Sequence, residues 1–108
     1  MFVIRQGDIL IAQTNHIPAN TTPVPLENGH VVLAHGEVTG HAHVVDDPTV
    51  VFLATDLADL ADRFLRVERE CRVVHDEHDP ITLPPGDYVV RRQREYQSAD
   101  MAPMQVAD

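Results

Sequence analysis

The chain has 108 residues, 44% of them hydrophobic, a length and apolar share that suit a single domain around one core. Its formal charge of −9 repels polyphosphate, which argues against nucleic acid as a partner. The one cysteine, Cys71, cannot close an intramolecular disulfide and reads as a small buried residue rather than a nucleophile. No basic leader opens the chain and no apolar run approaches the roughly 20 residues that cross a bilayer, so the expected setting is the cytoplasm, away from membranes.

In chain order, residues 8–13 (DILIAQ) form a short β-branched run opened by Gly7 and read as a central or near-central strand. Residues 14–25 are polar and broken by prolines, which fits a loop or an irregular edge and leaves His16 exposed. Asn28-Gly29 is a hairpin signal, because a type I′ turn needs positive φ at both central residues. Gly36 and Gly40 permit a bend before a strand over 41–45. Asp46-Asp47-Pro48-Thr49 is turn chemistry, and residues 49–54 return as a strand. Over 55–64, Leu57, Leu60, Ala61 and Phe64 fall at helical spacing behind Thr55 or Asp56 as a cap, which predicts one short helix. Residues 64–68 and 71–75 are strand-like. Pro84-Pro85-Gly86-Asp87 matches a type II turn joining 81–83 to a long strand over 88–96. The expected organisation is one mostly-β domain over 1–97 and a C-terminal tail over 98–108. The fold class is all-β with a minor helix, a small antiparallel barrel or sandwich.

Seven histidines, nearly as many as Lys and Arg together, dominate the polar chemistry. In a strand, residues two apart share a face, so His41 and His43 project two imidazoles in one direction with Cα atoms about 6.5–7 Å apart, a spacing one metal ion can bridge. The second cluster is His75-Asp76-Glu77-His78-Asp79-Pro80. If the strand runs on, His75 and Glu77 share a face; if the chain turns, His75 and His78 do. The pattern predicts a divalent transition metal held by His41, His43, His75 and His78, or by three histidines with Glu77. Imidazole suits Zn, Fe, Ni, Mn or Cu alike. Asp76 and Asp79 could hold the outer ring nitrogens. Taken singly, each cluster also reads as a solvated strand face or a polar loop. His30 and His35 stand outside the pairs and read as surface or supporting residues. Arg91, Arg92 and Arg94 read as a solvated face with cross-strand ion pairs. There is no phosphate loop, dinucleotide fingerprint or nucleophile elbow.

GEVTGHAHVV at 36–45 and HDEHDPITLPPGDYVVRRQREY at 75–96 resemble a family of small uncharacterised bacterial proteins with the same paired histidine blocks, which implies no particular reaction. The Gly-x-x-x-Gly-His-x-His block is also similar to half of the first metal motif of cupins, which are metal-holding β-barrels. That resemblance implies His41 and His43 as ligands, with Asp46 or Asp47 near the place of the cupin glutamate.

Three functions follow from these residues. The first is metal binding, with Glu77 as the catalytic proton acceptor where the ion keeps an open position. The second is metal-free acid–base catalysis of the phosphodiesterase type by a histidine pair. The third is a structural or interaction module, including a homo-oligomer, with metal-assisted folding or a pH-sensitive interface. No small-molecule ligand is specified by the sequence.

Overall fold

The computed structural model describes residues 3–35, 41–55 and 63–92. Among them the secondary structure is strand: β1 (Val3–Gln6), β2 (Ile9–Gln13), β3 (Thr21–Pro23), β4 (Val31–His35), β5 (Ala42–Val45), β6 (Val51–Thr55), β7 (Arg63–Val67), β8 (Cys71–His75), β9 (His78–Leu83) and β10 (Gly86–Arg92). They form two antiparallel sheets, one ordered β1-β2-β10-β7-β6-β3 and the other β4-β5-β8-β9. The architecture is a sandwich, and no closed barrel forms among the described residues.

Alternation explains which face turns inward. Along β2, Ile9 and Ile11 are buried while Leu10 and Ala12 are half-buried; along β8, Cys71 and Val73 are buried and Arg72 is exposed. One continuous core joins Ile9, Ile11, Leu65 and Tyr88 of the first sheet to Val31, Val45, Val73 and Leu83 of the second. Each such side chain contributes about 1.5–3 kcal/mol on leaving water.

Several local expectations take a specific form. Asn28 and Gly29 have φ of +52° and +81°, and Glu27 and His30 exchange two backbone hydrogen bonds of 2.9 Å, as a type I′ turn requires. The hairpin is a single rung, because β4 then pairs with β5. The proline-broken segment contributes β3, an edge strand. Asp47 Oδ1 accepts hydrogen bonds from the Thr49 backbone N–H at 2.9 Å and from its hydroxyl at 2.6 Å, closing the turn at Asp46-Asp47-Pro48-Thr49.

The segment 84–87 differs from expectation. Gly86 has φ of +153° rather than the about +80° of a type II turn, and it enters β10 paired with Val67. The double proline carries the chain from one sheet to the other, and the Tyr88 hydroxyl donates to the Pro84 carbonyl to fasten that crossing. The helix expected over 55–64 falls largely on residues 56–62, outside the described residues; its flanks, Thr55 and Phe64, are strand residues of β6 and β7. The glycines at 36 and 40, the end of the strand expected over 88–96, and the tail also lie outside the described residues.

β1 had no counterpart among the expected strands. It pairs with β2 from Val3↔Ala12 to Gln6↔Ile9 across a two-residue turn at Gly7-Asp8, and Gly7 takes φ of +58° there. This turn brings three polar or backbone-only residues, Gln6, Gly7 and Asp8, to the seam between the sheets.

Candidate functional site

The four expected histidines come together. His43 is an inward residue of β5, 1% exposed, beside the equally buried Val45. β5 pairs with β8, and β8 with β9, through the tight turn Asp76-Glu77, so the chain takes the turning alternative and sets His75 opposite His78. The His75 ring centroid lies 4.4 Å from that of His43, 4.7 Å from that of His78 and 5.8 Å from that of His41. His43 and His78 are 6.2 Å apart and nearly parallel.

Hydrogen bonds assign protons to two of these rings. Gln6 Nε2 donates to the carbonyls of Val73, at 3.0 Å, and Asp79, at 2.9 Å. Both amide protons are thereby used, and Gln6 Oε1 is turned to His43 Nδ1 at 2.8 Å. An amide oxygen only accepts, so Nδ1 carries the proton and Nε2 of the neutral ring presents its lone pair. That lone pair faces Asp8 Oδ1 at 3.2 Å. Two acceptors in this position repel unless a proton on Nε2, which makes the pair an ion pair, or another cation lies between them. At His75 the assignment is the reverse: the Glu77 backbone N–H donates to His75 Nδ1 at 3.0 Å, which leaves the proton of the neutral ring on Nε2.

Electrostatics agree with a neutral His43. Burial, with the neighbouring His75 adding to it, pushes the His43 pKa down to about 4 against the opposing pull of Asp8. Burial pushes the Asp8 carboxyl upward, but the Arg92 hydrogen bond and charge, with His43, outweigh it and hold the carboxyl below the ordinary range. Arg92 Nε donates to Asp8 Oδ2 at 2.9 Å, and Arg92 Nη2 donates to the His35 carbonyl at 2.6 Å.

The remaining expected residues sit around this centre. His41 Nδ1 is buried without a hydrogen bond; Glu77 Oε1 lies 3.4 Å from it, and Asp76 Oδ2 lies 3.7 Å from His41 Nε2. Asp79 serves through its backbone carbonyl, to Gln6. Asp46 and Asp47, offered by the cupin resemblance, are engaged elsewhere: Asp46 with the Arg72 backbone and guanidinium, Asp47 with Thr49 and Arg69. His16 and His30 are exposed, and His35 Nε2 is 2.8 Å from Glu27 Oε1. Cys71 is buried, and burial with nearby acidic charge pushes its thiol up to about 11, which makes it a core residue.

Gly7 packs against the cluster. A Cβ at this position would lie 2.7 Å from His78 Nε2 and 3.3 Å from His43 Cε1. Gln6, Gly7, Asp8 and Arg92 carry no ligand motif; the one local signal is a polar Gln-Gly-Asp turn placed against an apolar strand. Among the described residues no group of three or more His, Cys, Asp or Glu side chains is arranged, as the side chains stand, to hold a metal ion.

The fold and site define a class: a small two-sheet β protein with a histidine cluster at the seam between its sheets. The family described as Domain of unknown function (DUF8820) matches over residues 5–93, and this chain belongs to it. The matched span includes all four histidines of the cluster together with Gln6, Asp8 and Arg92. No curated protein and no solved structure matches the chain. No described helix is long and apolar enough to cross a membrane.

Proposed function

We propose that this chain is a metal-binding β protein whose centre is the cluster of His41, His43, His75 and His78, taking a divalent transition metal. The observation that carries this reading is the convergence of four imidazole rings, from two segments distant in sequence, with His41, His43 and His78 all within 5.8 Å of the His75 ring. Four rings that served only as solvated strand faces would have no reason to meet. When bound, the ion would polarise an oxygen or lower the pKa of a coordinated water. Glu77, whose Oε1 lies 3.4 Å from His41 Nδ1, would be the proton acceptor in this reading. The buried, unpaired Cys71 thiol suits the reducing cytoplasm.

The test is the metal content of full-length protein purified without an affinity tag, by elemental analysis, followed by uptake of Zn, Fe, Ni, Mn and Cu. About one ion per chain is expected, lost together with part of the thermal stability in the His41→Ala/His43→Ala double variant. Protein that holds no transition metal and takes none up would overturn the proposal.

One observation favours a second reading, metal-free acid–base catalysis. The apposed rings present a bare Nε2 on His43, a proton acceptor, beside the His75 ring, which would be the acid in its doubly protonated form. A phosphodiesterase-type activity with a bell-shaped pH profile, indifferent to chelators, would select it over the metal reading. A closed four-ligand shell with no exchangeable position would select instead a structural or self-associating module.

A further inference from the structure

Asn28 and Gly29 turn the chain into β4, away from the histidine cluster and unused by it. We propose that this pair is a site of spontaneous covalent modification, at which Asn28 loses ammonia to attack by the Gly29 backbone nitrogen and becomes isoaspartate, and that the turn's own hydrogen bonds set the rate.

The chemistry needs only these two residues and water. The Gly29 nitrogen gives up its proton and bonds to Asn28 Cγ, the Cγ–Nδ2 bond breaks, and ammonia leaves with that proton. Water then opens the five-membered imide at either carbonyl carbon. One opening gives aspartate; the other gives isoaspartate, whose main chain runs through the former side chain. Ring closure is hindered by a side chain on the following residue, which singles out this asparagine. The other two, Asn15 and Asn20, are also exposed but precede His16 and Thr21. A Cβ at Gly29 would meet nothing within 4 Å, so the attacking nitrogen stands in open space.

The closed turn withholds the reaction. Asn28 has φ of +52°, and a type I′ turn sets its ψ near about +30°, which holds the Gly29 nitrogen on the far side of the Cα–C bond from Cβ. Attack therefore requires the turn to open. Little holds it shut: Glu27 and His30 form a single isolated rung with two backbone hydrogen bonds of 2.9 Å, and residues 27–30 are all exposed. Two such bonds correspond to about 10–100 closed turns for each open one. The Glu27 Oε1 contact with His35 Nε2, at 2.8 Å, is a third tie across the hairpin.

The two products differ in what they do to the fold. Aspartate tolerates positive φ and keeps the turn, whereas isoaspartate lengthens the main chain and cannot form it. β4 is an edge strand that starts from this turn at Val31, and its Ala34 pairs with His43. Isoaspartate thus loosens the strand beside the cluster.

The test is incubation of the full-length protein in mildly alkaline buffer, folded and in urea, followed by peptide mass spectrometry with fragmentation that separates aspartate from isoaspartate. Residue 28 is expected to gain one mass unit, with isoaspartate among the products, while Asn15 and Asn20 keep their amides. Conversion in the folded protein should run about 10–100-fold below that in urea. Glu27→Ala is expected to speed the folded reaction alone, by up to about fivefold. Asn28→Asp should keep the parent's urea midpoint, while the aged isoaspartate fraction exchanges the Val31 amide faster. A folded protein in which Asn28 keeps its amide as long as Asn15 and Asn20 overturns the site. Equal rates folded and in urea overturn the control by the turn.

Discussion

Gly7 and Gly29 both turn the chain at positive φ, +58° and +81°, but their surroundings differ. A Cβ at Gly29 meets nothing within 4 Å, whereas one at Gly7 meets His78 and His43. Gly29→Ala is therefore expected to cost only the backbone strain, about 1 kcal/mol in urea denaturation, with unchanged histidine NMR signals. Gly7→Ala should cost more, about 2–3 kcal/mol, and shift the His78 and His43 ring signals. Equal costs and an undisturbed cluster for both would show that the close approach at Gly7 is not as described. His43 supplies a pH dependence at the same scale. Its folded pKa, about 4, lies below the ordinary 6.5, so the unfolded chain takes up the proton first. Stability of the metal-free protein should be full above about pH 6.5, fall as the pH drops from there to about 4 by at most about 1.4 kcal/mol per unit, and level off below. The lowered carboxyl of Asp8 acts in a separate window, its contribution being lost only as the pH falls below 3.8. Urea midpoints across this range, compared with His43→Gln, check the assignment; identical pH slopes would refute it.

At the scale of elements, the strands with regular alternation or clear turn chemistry were legible: β2, β5, β7 and β8 fall where the apolar and β-branched runs stand, and Asn28-Gly29 turns as its residues require. The histidine pairs were legible for the same reason, since a period of two places His41 and His43 on one face. β1 was not, because Val3-Ile4-Arg5-Gln6 is short and ends in a buried polar residue rather than an alternating apolar one. The partners of the 84–87 segment were not legible either. Pro-Pro-Gly reads locally as a hairpin turn, and whether the flanking strands share a sheet depends on distant neighbours. The Tyr88 hydroxyl now marks that crossing. Tyr88→Phe is expected to lose about 1 kcal/mol, seen as a lower urea midpoint with unchanged slope, while leaving the histidine signals in place. A neutral result would mean that the crossing is held by packing alone.

For the molecule as a whole, the division of labour between the sheets explains why half of the site was hidden from sequence. His41, His43, His75 and His78 all come from the four-stranded sheet and its turns, within blocks that local spacing can mark. Gln6 and Asp8 come from the other sheet and acquire a role only when the β1–β2 turn is laid against β9. Their two nearest histidine contacts span 35 and 37 positions of chain, which no local periodicity encodes. The Gln6 amide has a further bearing. It is bonded to carbonyls of the opposite layer and to the buried imidazole at once, so prising the layers apart at this edge and dismantling the cluster are a single event. Any ligand that prefers the intact cluster thus acts as a rivet, and its free concentration sets how well the protein withstands heat and proteases.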